Sequence, residues 1–284
     1  MPNPYLISME IITLALFVLC LWHAWRTGPE AILQLLAGVL FGVLLELATI
    51  RQLHAYTYGT FLLMVADVPL AIGVGWGIIT YSVRLFSDAS SLPEWARPIL
   101  DGLLALNIDL AMDAIAIRLG MWDWGQGFKT QYFGVPYANF WAWFWVVTSF
   151  SAGIRWLTPR AKGLVRWLSP FGALLIGMLS VLGTNALIVF VIPRQYYEAT
   201  IILTLGGAIL LILWLRPNFL VYPVDSPAFW VPFGFHAYFL TAGLLSGVIL
   251  QPPMLLAVSI AMLLIALYMH KPKIKPTLKV VEKK

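Results

Sequence analysis

Charge is scarce in this chain, and cysteine nearly absent. Of 284 residues only 11% are charged while 61% are hydrophobic. The mean hydropathy is +0.85. A soluble domain has about a quarter of its residues charged, and no polar stretch here is long enough to house one. The single cysteine, Cys20, excludes a disulfide framework and a thiolate metal site. The four histidines, His23, His54, His236 and His270, are far apart and form no H-x-x-x-H or E-x-x-H pair. That argues against a di-iron membrane oxygenase, which needs such ligands clustered. There is no P-loop and no nucleophile elbow. "GVGWG" (Gly73 to Gly77) follows no strand and sits inside an apolar run, so it is expected to pack helices, not to bind a nucleotide. No metal, ATP, NAD or flavin is expected.

Long apolar runs are what the chain has instead. They approach the roughly 20 residues that a helix needs to cross a bilayer, whereas a β-barrel shows alternating segments of about ten. The expectation is an all-α polytopic bundle with nine spans: 5–25, 30–50, 60–84, 97–119, 138–157, 169–192, 197–215, 228–249 and 254–269. Eight result if the last two, parted only by "QPP" (Gln251 to Pro253), are fused. The first run has no basic lead or small-residue cleavage site, and is expected to be a span, not a signal peptide. With nine spans, fourteen of the eighteen Lys and Arg residues fall on one side. The positive-inside rule then puts the N-terminus outside and the C-terminus in the cytoplasm. Residues 1–270 are expected to form one bundle. The basic tail 271–284 suits a topology signal and contact with lipid headgroups; nothing else supports nucleic-acid binding.

At an offset of 67 residues the chain resembles itself. "ELATIR" (Glu46 to Arg51) falls on "DAIAIR" (Asp113 to Arg118), and "VPLAIGVGW" (Val68 to Trp76) on "VPYANFWAW" (Val135 to Trp143). Two motifs sharing one offset suggest a duplication, with units at about 30–90 and 97–157 in the same orientation. The topology then gathers Glu46, Arg51, Tyr56, Tyr58, Asp67, Asp113, Arg118, Trp122 and Tyr132 into one half of the bilayer, with Asp109 deeper.

An ionisable residue inside a span costs about 2.5–3.5 kcal/mol on insertion scales, so it faces the interior and has a partner. One reading is structural: acid–Arg pairs such as Asp113 with Arg118, or Glu46 with Arg51, lock helices together. The other is chemical. Asp109 and Asp113 are four apart, on one helix face. Two buried carboxylates so placed repel, and one is expected to hold a proton and be able to act as a general acid. Asp67 reads equally as a third active carboxyl or as a polar residue at a kink. Asp101 reads as a first-turn helix charge. Asn139 reads as a cap or helix–helix bond, or as a group orienting water. His236 reads as a packed or hydrogen-bonded residue. Thirteen Trp and eleven Tyr suit an interfacial belt, Trp124, Trp141 and Trp145 among them. Aromatic faces also stabilise cations in dry pockets.

The stretch "DAIAIRLGMWDWG…QYFGVPYANFWAWF" resembles the signature of the carotenoid biosynthesis membrane proteins that include the carotenoid 1,2-hydratases. The matching positions are Asp113, Arg118, Leu119, Gly120, Trp122, Trp124, Tyr132, Phe133, Gly134, Val135, Pro136, Asn139, Phe140 and Trp143, with Glu46, Tyr56, Tyr58 and "VPL" (Val68 to Leu70) upstream. The chain departs from the pattern at Ala114, where the family has proline, and at Asp67, where glycine is usual. The resemblance implies hydration of a terminal C=C of an acyclic carotenoid such as lycopene or γ-carotene, or of a bacterioruberin precursor. An acid (Asp109 or Asp113) protonates the alkene, water captures the tertiary cation, and a base (Glu46 or Asp67) takes the surplus proton. Trp122, Tyr132 and Trp143, with Tyr56 and Tyr58, are expected to line the pocket. Asn139 is expected to hold the water and Arg118 to tune the carboxylates. The expected partners are a membrane-dissolved carotenoid, the bilayer and other enzymes of the pathway. Two rival classes stand beside this: a non-catalytic carotenoid-binding subunit and a small-molecule transporter.

Overall fold

The computed structural model describes residues 3–53, 56–219 and 224–270. His54 and the basic tail lie outside the described residues. Within them the chain is an all-α membrane bundle of nine α-helices: α1 (Pro4–Thr27), α2 (Pro29–Ala48), α3 (Leu70–Asp88), α4 (Arg97–Arg118), α5 (Tyr137–Leu157), α6 (Leu164–Ala186), α7 (Tyr197–Trp214), α8 (Ser226–Ser246) and α9 (Pro253–Met269). Six of these helices, α1, α2, α3, α6, α7 and α8, are long and apolar enough to cross a membrane. The other three differ for legible reasons. α9 is short, α4 carries Arg97, Asp101, Asp109, Asp113 and Arg118, and α5 is rich in tryptophan, which hydropathy ranks below aliphatic side chains.

Local chemistry sets the boundaries. The Asn3 side chain caps α1 by accepting from Tyr5 N at 3.0 Å, and Pro4 follows at the first helical position, where a missing N–H costs nothing. Gly28, at φ +136°, is the whole α1–α2 connection, a conformation that favours glycine. Both Val-Pro pairs end in an extended proline, Pro69 at ψ 130° and Pro136 at ψ 138°, and a helix starts at the next residue each time. The third apolar run is therefore shorter than its hydropathy implies. Residues 60–69 do not belong to the span; Met64–Val65 (β2) folds back on Val68–Pro69 (β3) in a tight turn. The Glu10 carboxylate holds this turn by accepting from Leu62 N and Leu63 N, each at 3.0 Å.

α2 lies against α3 through small residues. A Cβ on Gly77 would meet Val39 at 2.5 Å, and one on Gly42 would meet Trp76 at the same distance. "GVGWG" thus packs helices, as expected. α3 and α4 are buried in the middle, while α6 and α7 present apolar side chains outward. At one end of the bundle Thr57–Tyr58 (β1) pairs with Trp122–Asp123 (β4), tying the α2–α3 loop to the α4–α5 loop. Asn3 Nδ2 donates to Leu119 O there at 2.7 Å. At the opposite end Arg155 spans two acids, Asp101 at 2.6 Å and Asp88 at 2.9 Å, and Arg166 pairs with Glu30. Asp101 is therefore not a first-turn charge. It is fully buried in α4 and bonds across to α5 through Arg155 and Ser151.

Candidate active site

The repeated acids converge. Glu46, near the end of α2, and Asp113, on α4, both line a cavity of about 640 Å³ beneath the β1–β4 ribbon. They are equipped differently. The Glu46 carboxylate accepts from Tyr56 Oη, from Tyr58 Oη at 2.7 Å and from Trp76 Nε1 at 2.7 Å. Three donors on one carboxylate hold it as an acceptor. Burial, and next the neighbouring Glu46 carboxylate, push the Tyr56 and Tyr58 phenols well above their usual range, so both stay protonated donors.

Asp109 and Asp113 share one donor. Asn139 Nδ2 reaches Asp109 Oδ2 at 3.0 Å and Asp113 Oδ2 at 2.6 Å. The other oxygen of Asp109 is buried with no hydrogen-bond partner among the described residues. Asp109 itself stands behind Asp113 and does not line the cavity. Asn139 is the first-turn residue of α5, placed there by Pro136, so the Val-Pro pair sets where the amide meets the acids.

Aromatic rings wall the carboxylates. Trp76 and Trp143, equivalent positions in the two motifs, lie with ring centres 4.3 Å apart. Tyr56 meets Trp124 edge-to-face at 4.6 Å, and Tyr58 meets Trp122 at 6.2 Å. Trp124 and Trp141 also line the cavity, and each has a buried indole N–H without a partner among the described residues. Those two belong to the pocket, not to an interfacial belt. An acceptor carboxylate, a donor-poor carboxyl pair and aromatic faces on one apolar cavity can move a proton and shield a transient cation.

Several expected members stand elsewhere. Asp67 is half exposed and pairs with exposed Arg51 at 2.8 Å, outside the cavity. Arg118 does not pair with Asp113. It donates to Ala114 O at 2.7 Å, Phe133 O at 2.8 Å and Phe128 O at 3.2 Å, pinning the α4–α5 loop to the end of α4. Burial pushes the Tyr132 phenol up, and it donates to Leu110 O at 2.7 Å, so it anchors that loop and does not line the pocket. His236 packs inside the bundle, with Nε2 2.9 Å from Asn107 Oδ1. Trp76 escaped the site assignment, although its alignment with Trp143 pointed to it. Met178, Asn185, Tyr197 and Phe235, from α6, α7 and α8, also line the cavity; no motif marked them.

A family model described as "Carotenoid biosynthesis protein" matches residues 3–211. The match runs from α1 nearly to the end of α7 and takes in every carboxylate discussed above. No curated protein and no solved structure matches the chain.

Proposed function

The chain belongs to the carotenoid biosynthesis protein family, and on that premise we propose that it adds water across the terminal C1=C2 bond of an acyclic carotenoid end. One observation carries the reading. A carboxylate with three donors and a carboxyl pair with one amide donor are set against the same apolar cavity. Two carboxylates so close and so dry hold a proton between them. Asp113, which lines the cavity, delivers that proton to C2, and the tertiary cation forms at C1. The faces of Trp76, Trp122 and Trp143 stabilise it. Asn139 Oδ1, to which no described residue donates, holds the water that attacks C1. Glu46 takes the proton released from that water. The proton gained by Glu46 equals the one lost by Asp113, so its return completes a cycle with no net proton consumed.

The same reading includes an orientation. The site end carries Arg51, Arg118, Lys129 and Arg194, and the opposite end carries most of the other arginines, so the positive-inside rule puts the site in the outer half of the membrane.

The test is pigment analysis, by chromatography and mass spectrometry, of a host making lycopene or γ-carotene and expressing this chain. The expected result is a more polar pigment heavier by one water. Its formation should fall about 10²–10⁴-fold in Asp113→Asn, the range for loss of a general acid. Full activity in both Asp113→Asn and Asp109→Asn would remove the acid assignment. Unmodified pigment co-purifying with folded protein would replace the reaction with a binding role.

A further inference from the structure

We infer that the substrate reaches the carboxylates sideways from the lipid, through a portal between the C-terminal halves of α2 and α6, and that only its end is enclosed. The substrate's identity rests on the hydratase reading; the portal rests on helix packing. α2 and α6 are joined by the Arg166–Glu30 pair at the opposite end and stay together up to the level where a Cβ on Gly177 would lie 3.0 Å from the Phe41 ring. Phe41 in turn stacks on Phe150, with centres 5.0 Å apart, and neither ring lines the cavity. Beyond that level the two helices are parted by the cavity. Leu45, Glu46 and Ala48 line it from α2 and Thr49 from the turn after it, and residues from Met178 to Phe190 line it from α6 and the turn that follows.

α6 is held on its other side at both ends. Gly153 of α5 sits where a Cβ would lie 3.0 Å from Ala173, and Ile188 clusters with Trp141 and Ile201. The opening is therefore on the α2 side. Its α6 wall faces both ways, since Leu182, Val189 and Phe190 line the cavity and are 52, 54 and 84% exposed. Both walls end in a π-helical turn, Thr49–Leu53 and Leu187–Val191, a distortion frequent at functional sites. Asn185 lines this wall and has no partner among the described residues. A polar amide on a lipid-facing helix is costly where only hydrocarbon passes, so it suits a path taken by water or a hydroxylated chain end.

Shape limits what is enclosed. The cavity, about 640 Å³, lies at one end of the bundle, and an acyclic carotenoid is a stiff, extended polyene. The chamber therefore holds its end, and the remaining chain trails through the portal into the bilayer.

The test uses single-cysteine labelling, possible because native Cys20 is fully buried. Ala186→Cys places a thiol on the portal wall. Leu179→Cys places one on the same helix, 70% exposed but off the cavity. In proteoliposomes, lycopene is expected to slow maleimide labelling of the Ala186→Cys variant and leave the Leu179→Cys variant unaffected. Bulky pyrene-maleimide at position 186 is expected to abolish hydration in step with labelling, small N-ethylmaleimide less so, and neither reagent at 179. Hydration that persists after complete pyrene labelling at 186, with no protection by lycopene, overturns the portal and spares the reaction. Protection by lycopene without hydration supports the portal and sinks the reaction.

Discussion

Glu46, Asp109 and Asp113 are all buried acids on membrane helices, and their donors separate them. Tyr56, Tyr58 and Trp76 surround Glu46, while among the described residues Asn139 alone serves the two aspartates. The tyrosines also make a pH test. Their phenols titrate higher in the folded protein than the ordinary value of about 10 for an unfolded chain. Above that pH the unfolded chain releases protons that the folded one keeps, so stability is whole below about pH 10 and declines as pH rises further. Thermal unfolding in detergent should show this decline, and Tyr58→Phe should make it shallower. An equal slope in the variant would mean that Tyr58 does not titrate as argued. That Glu46 and Asp113 would come to one place was legible in sequence, because the repeat placed them in register. Which one would be saturated with donors was not, since the Glu46 partners come from a loop and a different helix.

At the scale of helices, glycine decides how close α2 and α3 come, and that closeness aims Trp76 at Glu46. Gly42→Ala would drive a methyl into the Trp76 side chain, with a Cβ 2.5 Å from the Trp76 Cβ. Overpacking of this kind costs about 1–3 kcal/mol. The variant is expected to melt earlier and to lose the proposed hydration, because the indole also donates to Glu46 and lies against Trp143. Unchanged stability and activity would show that α2 shifts freely, against the packing argument. Helix positions followed from hydropathy to within about two turns over the described residues. The exception was residues 60–69, where an apolar run stops at a Val-Pro pair and folds back on itself. Hydropathy sees only the run; proline, which lacks an N–H and biases its predecessor towards extended backbone, ends it.

Over the whole molecule, the candidate site lies at one end and the buried ion pairing at the other. Arg155, 14% exposed, bridges fully buried Asp101 and half-exposed Asp88, joining α3, α4 and α5. Arg155→Leu would leave Asp101 buried without its counter-charge, a loss of about 3–5 kcal/mol. Less folded protein in the membrane is expected, with the proposed hydration per folded molecule unchanged because the candidate site lies at the opposite end. A drop in that specific activity would mean that the two ends are coupled. The repeat reaches this end too, for Arg84 bonds Gln34 at 2.5 Å and Ser151 bonds Asp101 at 2.5 Å, pairs related by the same offset.

The sequence by itself determined that the chain is an all-α membrane bundle, where its helices run, and which motif residues carry the family resemblance. Hydropathy and a repeated motif are local properties, and they survive in one dimension. Tertiary structure alone decided that Asp67 pairs with Arg51 at the surface, that Arg118 and Tyr132 secure a loop, and that α6 and α7 complete the cavity. Such partnerships depend on which side chains meet across helices distant in sequence, and no spacing along the chain encodes that.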